Sequence, residues 1–198
     1  MPFEADIDYK SVSNEQLMQY MTLGKETAFN EIYSRFSVRI YWFFYQRINQ
    51  NEVRAEDLTQ DLFLKLIEKS DSFKKNKCFK AWIYTIAYNM CKNEYRRINI
   101  KERHLRLRDI DISRLINRDI ANLGKVYDHD LFSKRLRIEL NKLCQKYSTT
   151  FILRHEHGLP IKAIAEIMSC PEGTVKSRLF FAIKKLSSNL KTFKSIKL

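Results

Sequence analysis

The spacing of apolar residues along this chain predicts a succession of amphipathic helices. Ser13-Asn14-Glu15-Gln16 has the form of a capping box, and the helix that it starts is expected to stop at Gly24. A longer helix follows, with Phe29, Ile32, Tyr33, Phe36, Ile40, Phe43, Phe44 and Ile48 on one face. Asn49-Gln50-Asn51 reads as a turn. The next helix, about Glu52–Lys69, places Leu58, Leu62, Leu66 and Ile67 inward and Glu56, Asp57, Gln60 and Asp61 outward. A polar, basic loop, Ser70–Lys77, holds one aromatic, Phe73. Phe79, Trp82, Ile83, Ile86, Ala87 and Met90 then mark a helix running to about Arg97, which leaves Lys80, Tyr84, Tyr88, Asn89, Lys92, Tyr95 and Arg96 outside.

Residues 99–130 alternate charges of both signs with fewer apolar groups, the pattern of a charged tether with at most transient helices. Helical spacing resumes at Leu131–Leu143, continues through Thr149–His155 and turns at Gly158. The most informative stretch comes last. Ile161, Ile164, Ala165 and Met168 bury one side of a short helix. Ser169-Cys170-Pro171 interrupts it, with Pro171 suited to the first position of the next helix. In that next helix Val175, Leu179, Ala182, Ile183 and Leu186 line up inward, and Lys176, Ser177, Arg178, Phe181, Lys184 and Lys185 face out. Two short helices joined by a tight turn, the second with a basic outer face, form a helix-turn-helix, which lays its second helix in the major groove of DNA. Periodicity alone also fits an ordinary helical hairpin with a solvated basic face.

Composition supports helices over sheets: Gly and Pro are scarce, at 4 and 3 residues in 198. No apolar run approaches the roughly 18 residues that cross a bilayer, and the acidic start, MPFEADIDYK, has no signal-peptide core. The expected location is the cytoplasm. Cys78, Cys91, Cys144 and Cys170 are far apart without CxxC pairing, so they read as small buried residues rather than a disulfide or zinc framework.

The net charge of +13 is distributed unevenly. Residues 1–72 carry a net of −4, residues 73–98 a net of +6, residues 99–130 a net of +1, and residues 131–198 a net of +10. Two separate basic blocks after an acidic one suit two polyanion contacts and one protein contact.

Catalytic motifs are absent: no Gly-rich phosphate loop, GxSxG or HExxH occurs. Asp57 and Asp61 lie one helical turn apart with no histidine nearby, which suits partner contact better than metal binding. The reading is non-enzymatic, with no cofactor, no metal and no small-molecule substrate. In Cys78–Arg97, exposed aromatics interleave with cations, a pairing that suits single-stranded nucleic acid because rings stack on unpaired bases while Lys and Arg hold phosphates.

Three blocks, in order, give the chain its resemblance to a known family. AEDLTQDLFLKL (Ala55–Leu66), FKAWIYTIAYNMCKNEYRR (Phe79–Arg97) and GLPIKAIAEIMSCPEGTVKSRLFFAIKKL (Gly158–Leu186) resemble the polymerase-binding, −10-element and −35-element segments of sigma-70-type sigma factors of the extracytoplasmic-function (ECF) group. The resemblance implies an all-α protein of two small helical domains: a region 2 bundle over 10–98, a linker over 99–130, and a region 4 helix-turn-helix over 131–194. It implies that Asp57, Gln60 and Asp61 face the clamp helices of core RNA polymerase. The loop with Phe73, Lys74 and Asn76 would capture a flipped −10 base, and Lys80, Tyr84, Tyr88, Asn89, Lys92 and Arg96 would line the single strand. Glu172, Thr174, Lys176, Ser177, Arg178, Phe181, Lys184 and Lys185 would meet the −35 duplex, with Arg178 the candidate for bidentate contact to guanine. The chain departs from the family at Tyr88, where arginine is frequent, and at Phe181 and Ile183, where polar or basic residues are.

The implied function is to bind core RNA polymerase, direct it to promoters and open them. Implied partners are the polymerase, promoter DNA and an anti-sigma factor, which would hold the chain inactive, in some cases at the inner membrane. A stand-alone helix-turn-helix regulator is the alternative. The acidic Ala55–Leu66 block discriminates the two, because a simple regulator needs no polymerase-docking helix.

Overall fold

A computed structural model of the chain describes residues 7–48, 50–74, 77–106 and 128–190. These residues form eight α-helices and a single 3-10 turn, and no strand occurs among them. They belong to two compact units that divide within the fourth helix, between Asn93 and Glu94.

The first unit opens with α1 (Asn14–Thr22), α2 (Glu26–Tyr45) and α3 (Glu52–Glu68). The Ser13 capping box forms in full, its hydroxyl accepting from the Gln16 N–H while the Gln16 side chain accepts from the Ser13 N–H. Gly24 ends the helix in the left-handed region, at φ 75°. Asn51 caps α3 through its side-chain oxygen, which accepts from the Arg54 N–H at 2.9 Å. Gln50 also takes a positive φ, in keeping with the predicted turn; Asn49 lies outside the described residues.

The core of this unit is aromatic. Ile32, Phe36, Ile40, Phe43 and Phe44 of α2 are buried with Leu58, Leu62, Phe63 and Leu66 of α3. Two residues of the predicted apolar faces are not in this core. Tyr33 and Ile67 are exposed, because each sits at the edge of its helix's apolar stripe. Tyr33 instead lays its ring beside Phe63 at 4.7 Å.

Helix α4 (Phe79–Arg106) extends well past the expected end near Arg97. Its sequence beyond Ile98, NIKERHLR, is mostly good helix formers, so the helix continues after its apolar stripe fades. The expected tether is therefore helical at both ends, since α5 starts at Asp128; residues 107–127 lie outside the described residues.

The second unit contains α5 (Asp128–Lys142), α6 (Gln145–His155), most of α7 (Ile161–Met168) and α8 (Glu172–Asn189). Gly158, at φ 65°, turns the chain between α6 and α7 as read from sequence. Ile164, Ala165, Ile167 and Met168 of α7 are buried, and so are Val175, Leu179, Ala182 and Leu186 of α8. Ile183, read as inward, is exposed, because the buried stripe of α8 is centred on Leu179 and Ala182. Glu139 of α5 is buried and ties this helix to the end of α8: its carboxylate accepts from Asn189 Nδ2 at 2.7 Å and from Lys142 Nζ at 2.9 Å.

Candidate nucleic-acid and polymerase interfaces

Three outward faces carry the residues singled out by sequence, and each follows from the register of one helix. On α3, Ala55, Leu58, Leu62 and Leu66 are buried, which turns Asp57 and Gln60 to solvent and leaves Asp61 half-exposed. Val53, Leu64 and Ile67 are also exposed and share the Asp57–Gln60 side by their spacing along the helix. Periodicity gives no surface signal for them, because apolar groups on an amphipathic helix default to the core. An acidic surface with an apolar stripe suits a protein partner. Arg54 meets Asp57 at 3.4 Å across one helical turn.

On α4 the buried apolar set is Phe79, Ile83, Tyr84, Ala87, Met90 and Cys91. The stripe is thus rotated toward Tyr84 and Cys91, leaving Trp82 and Ile86 only half-buried. The sequence places Tyr84 among the residues that line a DNA strand. It is fully buried and packs edge-on against Phe43 at 5.4 Å, so it belongs to the core. Tyr88, Asn89, Lys92 and Arg96 do lie opposite the buried stripe, at the i, i+1, i+4 and i+8 positions that share one side. Thr85 precedes them on the same side. The Lys92 ammonium stands 6.0 Å over the Tyr88 ring, which places a cation beside a stackable face.

The loop before α4 is less open than expected at its aromatic. Phe73 is half-buried, its ring 5.2 Å from Trp82 and 6.0 Å from Phe79. Lys74 is exposed, and Asn76 lies outside the described residues. Lys80 is half-buried, and its ammonium pKa is lowered by burial and then by the nearby positive charge of Arg39.

The third face belongs to α7 and α8. Ser169 turns the chain at φ 49° and the Cys170 N–H donates to the Ala165 carbonyl at 3.0 Å. Pro171 is the N-cap of α8 rather than its first helical residue, its carbonyl accepting from the Thr174 N–H at 2.9 Å. Glu172, Lys176, Ser177, Phe181, Lys184 and Lys185 are exposed, and Thr174 is half-buried. Phe180, not singled out by sequence, is more exposed than Phe181, at 62% against 53%. Arg178 is half-buried and donates from Nη1 to the Cys170 thiol at 3.4 Å. Cysteine placement also needs correcting: Cys91 is buried, whereas Cys78 and Cys144 are exposed and Cys170 is intermediate. Among the described residues no cluster of His, Cys, Asp or Glu is arranged to hold a metal ion. No helix there is long and apolar enough to cross a membrane.

A basic helix-turn-helix alongside a helical unit with a cationic, aromatic outer face and an acidic docking helix describes a DNA-binding protein of the transcription machinery. The family model for Sigma-70 region 2 matches residues 32–99, and that for Sigma-70, region 4 matches residues 134–186, together more than half of the chain. An ECF RNA polymerase sigma-E factor of Haemophilus influenzae is 28% identical over 188 residues, covering 91% of this chain and 97% of that protein. The ECF RNA polymerase sigma factor SigW of Bacillus subtilis is 27% identical over 177 residues, covering 85% of this chain and 91% of that one. The sigma factor RpoE of Bartonella quintana, solved in complex with the anti-sigma factor NepR, superposes with a TM-score of 0.66 at 25% identity, covering 82% of this chain and 96% of that chain.

The chain belongs to the sigma-70 family of RNA polymerase sigma factors, in its extracytoplasmic-function group. It directs RNA polymerase to promoters for transcription initiation, and the stand-alone regulator reading is not favoured. Sigma factors as a family are not enzymes.

Proposed function

We propose that the three faces divide the work of promoter recognition among residues that the fold separates. Residues 10–98 act as the polymerase-binding and −10 domain, 99–130 as the tether and 131–194 as the −35 domain. The single observation that carries this is the register of α3: its buried leucines turn Asp57 and Gln60, with Asp61 at the margin, onto one surface with Val53 and Leu64. That surface docks on the clamp helices of core polymerase.

On α4, Tyr88, Asn89, Lys92 and Arg96 track the unpaired strand, while Lys74 and Lys80 hold its phosphates. The loop around Phe73 and Asn76 receives a base taken out of the stack. On α8, Thr174, Lys176, Ser177, Phe181, Lys184 and Lys185 enter the major groove, with Glu172 at the N-terminal end. Arg178 supports them from the edge, its guanidinium holding the turn. An anti-sigma factor is a further partner, supported by the solved relative bound to one; it would keep the chain inactive, at the inner membrane where that factor is membrane-anchored. The chain itself performs no catalysis.

The test is the double substitution Asp57→Ala with Asp61→Ala. It is expected to weaken capture of core polymerase in a co-elution assay without changing the far-ultraviolet spectrum of the chain. Unchanged capture would remove α3 from the docking surface.

A further inference from the structure

We propose that Phe181 reads the methyl group of a thymine in the −35 duplex and thereby sets specificity at that base pair. The inference rests on α8 being the major-groove helix. Val175, Leu179, Ala182 and Leu186 form its buried stripe, so Ser177, Phe180, Phe181 and Lys184 project from the other side. Two adjacent phenylalanines there are 62% and 53% exposed. Exposed rings leave apolar area in water unless a partner covers it.

The Phe181 ring is held in place. Tyr147 of α6 lies 6.1 Å behind it and Phe180 packs edge-on at 5.8 Å, while the Lys146 ammonium stands 5.2 Å over the Tyr147 ring. The ring is therefore presented rather than free to fold away. Meanwhile the sole arginine of α8, Arg178, is half-buried and turned to the Cys170 thiol. The helix thus offers an aromatic rather than a guanidinium fork at its outward centre.

The chemistry of the occupant follows. Lys176, Lys184 and Lys185 surround the rings and are exposed, which favours a polyanion over an apolar protein surface. Thymine alone among the bases presents a methyl group in the major groove, and an apolar contact such as Phe is its recognised partner.

The experiment uses holoenzyme reconstituted from the full chain and core RNA polymerase. A duplex is selected from a pool randomised in the upstream element, and each of its thymines is then replaced singly by deoxyuridine, which removes only the methyl group. One replacement is expected to weaken binding about fourfold, the factor for burying one methyl. Phe181→Ala holoenzyme is expected to bind the thymine and deoxyuridine duplexes equally, while Phe180→Ala keeps the difference. Should Phe181→Ala fail to fold, Phe181→Lys serves instead, since the half-exposed position accommodates a long polar chain. Deoxyuridine duplexes bound as tightly as thymine ones by the unaltered chain would overturn the proposal, and so would discrimination that survives both Phe181 variants. Failure to select any duplex would overturn it together with the promoter-binding reading, whereas a selected but deoxyuridine-insensitive duplex overturns this inference alone.

Discussion

The carboxylate of Glu15, on α1, accepts a 2.9 Å hydrogen bond from the backbone N–H of Phe79, which opens α4 sixty-four residues later. A side chain from one helix thus satisfies an orphan donor in the first turn of another and sets a negative charge at its positive end. The start of α4 is fixed by α1. Glu15→Ala is expected to destabilise the first unit by about 1 kcal/mol, in the range for losing a helix cap. Chemical denaturation followed by tryptophan fluorescence checks this, since Trp82 lies one turn from Phe79. No shift in midpoint would show that the contact is incidental.

Tyr84 separates core from interface on α4. Its full burial against Phe43 means that Tyr84→Ala is expected to cost about 3–5 kcal/mol of stability, as other large aromatic truncations do. Lys92→Ala and Asn89→Ala, at exposed positions, are expected to change stability by less than about 0.5 kcal/mol. They should instead reduce promoter opening, read as permanganate reactivity of unpaired thymines. Equal loss of stability in all three would contradict the division of the helix into faces.

Glu139 gives the second unit an acid-sensitive joint. Its carboxyl is held below the usual range foremost by the hydrogen bond from Lys142, with Asn189 and the charges of Lys142 and Arg135 adding and burial opposing. A lowered carboxylate pKa contributes stability that is present above the unfolded value of about 4.3 and is lost as pH falls through the folded one. The protection of amides near Asn189 against hydrogen exchange, taken relative to the intrinsic rate at each pH, is therefore expected to fall on acidification in the native chain. In Glu139→Gln that protection should be lower at neutral pH and less pH-dependent. Parallel pH profiles for the two proteins would refute the assignment.

The Arg178 guanidinium donates to the Cys170 thiol in the turn of the helix-turn-helix. Arg178→Ala removes the donor to Cys170 and is expected to weaken binding to all upstream elements by a similar factor, about 1 kcal/mol. Cys170→Ser, which keeps an acceptor, should be close to neutral, and Cys170→Ala should weaken binding in the same uniform way. Relaxed preference at a single base pair would return Arg178 to the role of guanine reader.

Much of this was legible in the sequence where local chemistry decides the outcome. The Ser13 capping box, the Gly24 stop, the Gly158 turn and the cores of α3 and α8 follow from residues that interact within a turn or two. Faces were harder. On α4 the large apolar side chains of Trp82 and Ile86 draw the inferred stripe toward themselves. The real stripe runs through Ala87 and Cys91, whose small side chains are fully buried, and takes Tyr84 with it. Tyr33, Ile67 and Ile183 fail in the opposite sense, being apolar or aromatic at stripe edges. The thiol contact of Arg178 and the Glu15 cap depend on tertiary placement, for which periodicity carries no signal.

The central claim is tested most directly by transcription from a genomic-fragment library with sigma-free core polymerase from the same source. Addition of the full chain is expected to produce discrete start sites, each preceded by two shared sequence elements, that are absent without it. A chain that elutes apart from core polymerase and yields no start sites would contradict the account.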